Sequence, residues 1–264
     1  GVDEQYHLVH DMISTSVLGH EKRFGVKART VRQHAVRWRG YVDAARDLAD
    51  LGVEMDFNYV SVAPFSATYM TGSGRPMRMI DECGEILDIF QQSTLYSEDL
   101  MLEPNFVFSL KWSTERALRH VGEMLSENLA RYYTPIGLNS HPVSFVAYSR
   151  AFVEGVLDMA LQRNVPIVTA EAWNDFTRAR DGTSISNVVP HTSGFTCMLT
   201  VPDSASPLTL CWPLHDGDVV SFSVDGAAQQ SVEAELWTRR LAMLELTLAA
   251  GEHTVDVNFA APAE

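Results

Sequence analysis

Two polar pairs stand at the ends of neighbouring apolar runs: Arg32 with His34 after a β-branched stretch, and Asp56 with Asn58 after Val53. Residues two apart on a strand point to one face, so each pair presents both of its members together. A guanidinium, an imidazole, a carboxylate and an amide converging from two strands can move protons and orient a carboxylate. A third polar group, His141, closes the run TPIGLNSH. A plainer reading of the same residues is an Arg32 to Asp56 ion pair tying two strands together, because a buried charge without a partner is costly.

These groups meet only if the chain supplies strands in the right order. Residues 3–24 place Tyr6, Val9, Ile13, Val17 and Phe24 toward one side of a helix, and Gly25 is a stop signal. Residues 28–34 read as a strand and residues 41–51 as a helix with Val42, Ala45, Leu48 and Ala49 inward. Gly52 ends that helix, and residues 53–59 form the next strand. A β-α-β unit of this kind predicts parallel strands with a right-handed crossover. The segment SVAPFSATYMTGSGRPM is a long loop by its Gly, Ser and Pro content. Residues 77–80 and 86–90 are a hairpin or two successive strands. A helix over 113–132, a short strand ending at His141, a helix over 150–163, a buried strand over 165–169 and a helix over 172–180 complete the pattern. Such alternation implies an α/β barrel or a doubly wound sheet, whose functional groups collect at the C-terminal ends of strands. His34, Asp56 and His141 all fall there.

After Asn187 the texture changes. FTCMLTVP, LTLCWPL, VVSFSVDG, LAMLELTL and HTVDVNFA read as five short strands, with VDG and AAGEH as turns. The expected organisation is an α/β domain over 1–184 and a small antiparallel β-sandwich over 185–264. The sandwich resembles those appended to many secreted glycan-active enzymes. A formal net charge of -14 over 264 residues repels phosphate backbones and anionic lipid, which argues against nucleic acid as a partner. No apolar run approaches the ~20 residues of a membrane-spanning helix, and no signal-peptide pattern is present. Cys83, Cys197 and Cys211 lack CxxC spacing, which disfavours a zinc knuckle and leaves a Cys197 to Cys211 bridge open. No G-x-S-x-G elbow occurs, and TGSG lacks the Lys and following helix of a phosphate-binding loop.

RQHAVRW at 32–38, GVEMDFNY at 52–59 and TGSGRPMR at 71–78 occur in the order seen in a divergent branch of the polysaccharide deacetylase superfamily, found within large secreted bacterial proteins. Residues from about 20 to 175 resemble the later part of that domain. The resemblance implies a partial distorted (β/α) barrel that removes acetyl groups from an extracellular or cell-surface glycan with a divalent metal, zinc for this family. It casts His141 as the late general acid, Arg32 as the residue that orients the catalytic carboxylate, and Asp56 as the Asp that holds the His. Trp38, Tyr41, Tyr59 and Tyr69 would supply an aromatic groove for sugar rings.

The chain also departs from that pattern. The early strands that carry the family's Asp-Asp pair and metal histidines would precede residue 3, and His7, His10 and Asp11 do not recreate them. His7 and His10 read as helix-surface residues. The expectation is a portion of a longer enzyme, completed by an N-terminal portion of the same protein and holding no metal alone. A catalytically inactive carbohydrate-binding or assembly module is the alternative.

Overall fold

The structure, a computed structural model, describes residues 2–33, 38, 40–59, 74–202, 207–215, 218–236 and 238–260, with backbone alone at 2–9 and 219. His34 and Tyr69 lie outside the described residues, as does the side chain of His7. The chain divides into two units, Gly1–Asn128 with Tyr133–Glu171, and Leu129–Tyr132 with Ala172–Glu264.

In the first unit α1 (Val2–Phe24) leads to β1 (Thr30–Val31), α2 (Asp43–Asp50) and β2 (Met55–Asp56). Ile13 and Val17 of α1 are buried with Val42, Ala44, Ala45, Leu48 and Val53, which accounts for the apolar spacing of both helices. Phe24, expected inward, is 62% exposed, because it sits on the last turn beyond that cluster. His10 is on the surface and pairs with Asp47 at 3.0 Å. Gly52 closes α2 at φ 75°, where its N–H donates to the Ala49 carbonyl. That left-handed backbone favours glycine.

The chain continues through the hairpin β3 (Met77–Ile80) and β4 (Ile86–Gln91) to β5 (Tyr96–Ser97) and α3 (Glu98–Leu102). It then passes through α4 (Thr114–Glu127), a π-helical turn at Asn128–Tyr132, β6 (Leu138–Asn139), α5 (Pro142–Ser144), a second π-helical turn at Phe145–Ser149, α6 (Arg150–Gln162) and α7 (Ala170–Gly182). The sheet order is β1-β2-β4-β3, with β1, β2 and β4 parallel and β3 antiparallel to β4. A separate parallel pair joins β5 to β6, with Ser97 opposite Asn139.

The two sheets are linked by one stretch of chain. Beyond β4 the Gln92 N–H donates to the Asp56 carbonyl, and the Thr94 N–H and hydroxyl donate to the carbonyls of Tyr59 and Phe57. The Leu95 and Tyr96 N–H groups then both donate to the Gly137 carbonyl. Residues 86–97 therefore follow β2 first and β6 second. Among the described residues these strands do not close into a barrel. The strand expected at 165–169 is absent: Pro166 has no N–H for a ladder, Ile167 and Val168 are exposed, and the segment simply joins α6 to α7. Ser113 caps α4 by accepting from the Arg116 N–H, and Ala117, Val121 and Phe152 bury the contact of α4 with α6.

The second unit holds β7 (Ser184–His191), β8 (Gly194–Val201), β9 (Leu208–Pro213), β10 (Val219–Val224), β11 (Ala227–Gln229), β12 (Val232–Leu236), β13 (Arg239–Leu246) and β14 (Gly251–Ala260). They form antiparallel sheets of order β11-β10-β14-β8-β7 and β12-β13-β9, which contribute Leu199, Phe222, Val255, Leu208, Ala242 and Leu244 to one hydrophobic cluster. Asp225 and Gly226, both at positive φ (51° and 78°), make the two-residue turn between β10 and β11. Three strands go beyond the five expected. β7, β11 and β12 are edge strands, and most of their residues are exposed. All three cysteines are free thiols; Cys197 lies on β8 and Cys211 on β9, in different sheets, so no bridge forms.

The close approach at Gly137 yields a testable consequence. A Cβ there would stand 2.8 Å from the Ser93 carbonyl oxygen, a main-chain atom that cannot swing aside. Gly137→Ala is expected to lower stability by about 1–3 kcal/mol, the usual cost of overpacking, as measured by urea unfolding. A neutral result would show that β6 is not held against 93–96 as described.

Candidate functional site

Polar side chains gather where the parallel strands end. Asp56, Asn58, Gln91, Gln92, Ser93, Ser97 and Glu98 are all at most 2% exposed, an arrangement that folding tolerates only when partners are supplied. The Gln91 amide donates to the Asp56 carbonyl at 3.0 Å, and the Gln92 amide to the Gly74 carbonyl at 3.0 Å. Asn58 accepts from the Gln33 N–H at 2.7 Å, which binds the end of β1 to the end of β2.

Glu98 is the first residue of α3, completely buried, directly after β5. Its Oε1 accepts from the His141 N–H at 2.8 Å and lies 2.6 Å from the His141 Nδ1. Its Oε2 is buried with no hydrogen-bond partner. Asp99 accepts from the Leu100 N–H and from the Ser97 hydroxyl, and Ser97 in turn accepts from the Asn139 amide at 3.1 Å. Glu98, Asp99 and His141 each offer a ligand atom within 4.8 Å of the others, a donor set compatible with metal coordination. The His141 side chain is 33% exposed, so the ring that Glu98 orients from below is open to solvent.

Arg32 and Asp56 face this cluster from the other sheet. Burial lowers the Arg32 pKa, and the charges of Asp99, then Glu98, then Asp56 oppose that shift. The Arg32 Nε is buried without a hydrogen-bond partner, and the ion pair expected between Arg32 and Asp56 is not formed. Asp56 Oδ1 accepts from the Asn58 N–H at 3.2 Å, whereas Oδ2 is buried without a partner. Burial pushes the Asp56 carboxyl up to about 8, against the stabilising pull of the Asn58 and Phe57 amides and of Arg32. Tyr148, on the second π-helical turn, donates to the Ser144 hydroxyl at 2.9 Å. Burial, with Glu103 and Glu98 nearby, raises its phenol to about 12.

The structure thus brings Arg32 and Asp56 toward Glu98, which holds His141. Trp38 and Tyr59 pack on each other with ring centroids 4.8 Å apart, and both rest against the α1–α2 cluster. The Trp38 indole N–H donates to the Tyr41 carbonyl at 3.1 Å, and the Tyr41 side chain is 61% exposed. Sequence reasoning missed Glu98, Asp99 and Ser97. The available signal was the adjacent acidic pair in YSED after a short apolar run, but Phe90 looked like the end of the strand that in fact leads there. No ligand set within the chain was expected; Glu98, Asp99 and His141 form a potential one, joining residues 98–99 to residue 141.

No protein-family model, no curated protein and no solved structure matches this chain.

The Asp56 shift sets a pH dependence. Its folded pKa lies above the unfolded value, so between about 4 and 8 the folded state binds the extra proton and stability falls as pH rises. The penalty is absent below the unfolded pKa and complete above about 8. Asp56→Asn is expected to remove that slope, leaving the variant more stable relative to wild type at pH 8 than at pH 4 in denaturant titrations. Parallel pH profiles for the two proteins would show instead that Asp56 is not buried as a neutral acid.

Proposed function

We propose that the chain belongs to a hydrolase that removes acetyl groups from an extracellular or cell-surface glycan, with the Glu98–His141 cluster as its reaction centre. The first unit is read as an opened part of a (β/α) barrel of polysaccharide deacetylase type and the second as a β-sandwich accessory module. The observation that carries the reading is the 2.6 Å pair between the buried Glu98 carboxylate and the partly exposed His141 ring at the C-terminal ends of parallel strands.

Glu98 holds His141 through Nδ1 and so presents Nε2 outward, where an imidazole can pass a proton to the leaving amine or alkoxide. Arg32 carries a positive charge that acts on Asp99, Glu98 and Asp56 and offsets their mutual repulsion. Tyr148 keeps its phenolic proton across the working range and donates it to the Ser144 hydroxyl.

The orphaned Glu98 Oε2 together with Asp99 and His141 fits a divalent cation, zinc by the family resemblance. When bound, such an ion polarises an acyl carbonyl and lowers the pKa of its water. His141 is then a ligand, and Asp56, whose neutral carboxyl persists to about pH 8, is the remaining proton donor.

A second reading, a glycan-binding module without activity, is favoured by Arg32. Its positive charge already acts on all three carboxylates, which lessens their need for a cation.

Acetate release from acetylated oligosaccharides, measured beside the metal content of the purified chain, separates these readings. His141→Ala and Glu98→Gln are each expected to lower kcat roughly 100- to 10,000-fold with little change in glycan affinity. With a bound ion the same variants lose the metal, and Asp56→Asn lowers kcat as well. A wild-type chain that binds glycan but releases no acetate, with or without added zinc, leaves the binding module standing.

A further inference from the structure

In the second unit one imidazole ring joins two turns. His253, the third residue of β14, places Nδ1 2.7 Å from Asp225 Oδ2 in the β10–β11 turn and Nε2 2.9 Å from the Ala249 carbonyl in the loop between β13 and β14. Asp225 is fixed from its other side: Oδ1 accepts from the Thr254 N–H at 2.8 Å, and its own N–H donates to the Thr254 carbonyl. A carbonyl oxygen can only accept, so Nε2 must carry a proton to make its bond. The His253 ring and the Thr254 N–H hold the Asp225 pKa below its ordinary value, so this carboxylate is ionised and Nδ1 must carry a proton too. Both bonds together require an imidazolium, and the two acceptors, Asp225 first and Ala249 second, raise the pKa of the ring.

We propose that His253 is a pH-sensitive latch: protonated, it fastens the β13–β14 loop to the β10–β11 turn, and on losing one proton to solvent it releases the loop alone. The side that lets go follows from the acceptors. A carboxylate holds a ring proton more strongly than a neutral carbonyl, so the neutral ring keeps Nδ1–H on Asp225. Its bare Nε2 then faces the Ala249 oxygen, lone pair against lone pair, at a loop that lies outside the ladders of β13 and β14. Other ionisable groups do not compete for the ring. Along β14, Glu252 and Asp256 alternate to the opposite face of the strand. β10 and β11 carry no ionisable residue, and the inward face of β8 carries only Cys197, whose thiol burial pushes up and keeps neutral. On the facing sheet Glu245 is exposed, and Arg240 pairs with Glu233 at 2.7 Å toward the other end of β13. Because folding raises the His253 pKa, the latch stabilises fully below the ring's ordinary 6.5 and is lost as pH rises through the folded value. Because folding lowers the Asp225 pKa, that half stabilises above the ordinary 3.8 and is lost as pH falls through its folded value. This inference is independent of the chemistry proposed for Glu98 and His141.

The test is an NMR titration of the whole chain from acid to alkaline pH, read at the ring nitrogens of His253 and at the backbone amides. On the acid side both ring nitrogens are expected to be protonated, with a midpoint above 6.5 and a neutral form protonated at Nδ1. The Ala250 amide nitrogen shares a peptide bond with the Ala249 carbonyl, so its shift should move through the same midpoint. The Thr254 amide, held by Asp225, should keep its hydrogen-exchange protection throughout. Asp225→Asn should move the ring's midpoint down, and His253→Gln should abolish the titration of Ala250. The wild-type titration decides the matter even where a variant fails to fold. The proposal is overturned by a midpoint at or below 6.5, by a neutral ring protonated at Nε2, or by an Ala250 nitrogen that does not follow the ring.

Discussion

The carboxylate of Glu98 has no exposed surface, and a charge so placed must be met by the protein itself. Its partner is a residue forty-three positions later, through both the main-chain N–H and the ring of His141. That requirement holds the end of β5 against the end of β6, and it explains why Gly137 carries no side chain where the chain passes Ser93. The same pairing draws Asp99, Ser97 and Asn139 into one hydrogen-bonded line. Without Glu98 the short β5–β6 ladder would retain only two residue pairs.

The stretch 86–97 extends this constraint to the rest of the first unit. By bonding first to the residues that follow β2 and then to Gly137, it sets the Asp56 and Arg32 side of the sheet against the Glu98 side. Arg32 is the electrostatic link between them, because carboxylates from both act on its charge. The cost of this arrangement is visible at Asp56, where burial outweighs the nearby amides and guanidinium and favours the neutral acid. A carboxyl held neutral near physiological pH has chemical capacity that a simple ion pair lacks.

The second unit rests on other forces. Its strands alternate apolar and polar residues, and the apolar sets of two antiparallel sheets share one cluster that includes Leu199, Ala242 and Leu244, none of them exposed. Asp225 contributes to the turn geometry and accepts from the Thr254 N–H and the His253 ring, so β10 and β14 are held in register by side chain as well as main chain.

Helices α1, α2, α4, α6 and α7 and the strands β3 and β4 were legible from periodicity and turn residues, because those signals are local, while the pairing of β3 with β4 was left open. Arg32, Asp56 and His141 stood out for the same reason, each being polar at the end of an apolar run. The strand expected at 165–169 shows the limit of that logic: its apolar composition was right for a strand, but a strand exists only where a partner offers a ladder, and none is present there among the described residues. Glu98 and Asp99 show the converse. Nothing local distinguishes an acidic pair in YSED from a solvated surface pair, and only the path of residues 86–97 buries it beside His141. The sequence by itself determined which segments become helices and strands, since propensity and periodicity act over a few residues; the tertiary structure alone decided which carboxylates lose their water and whose charge they meet, because burial and long-range pairing depend on chain separated by dozens of residues.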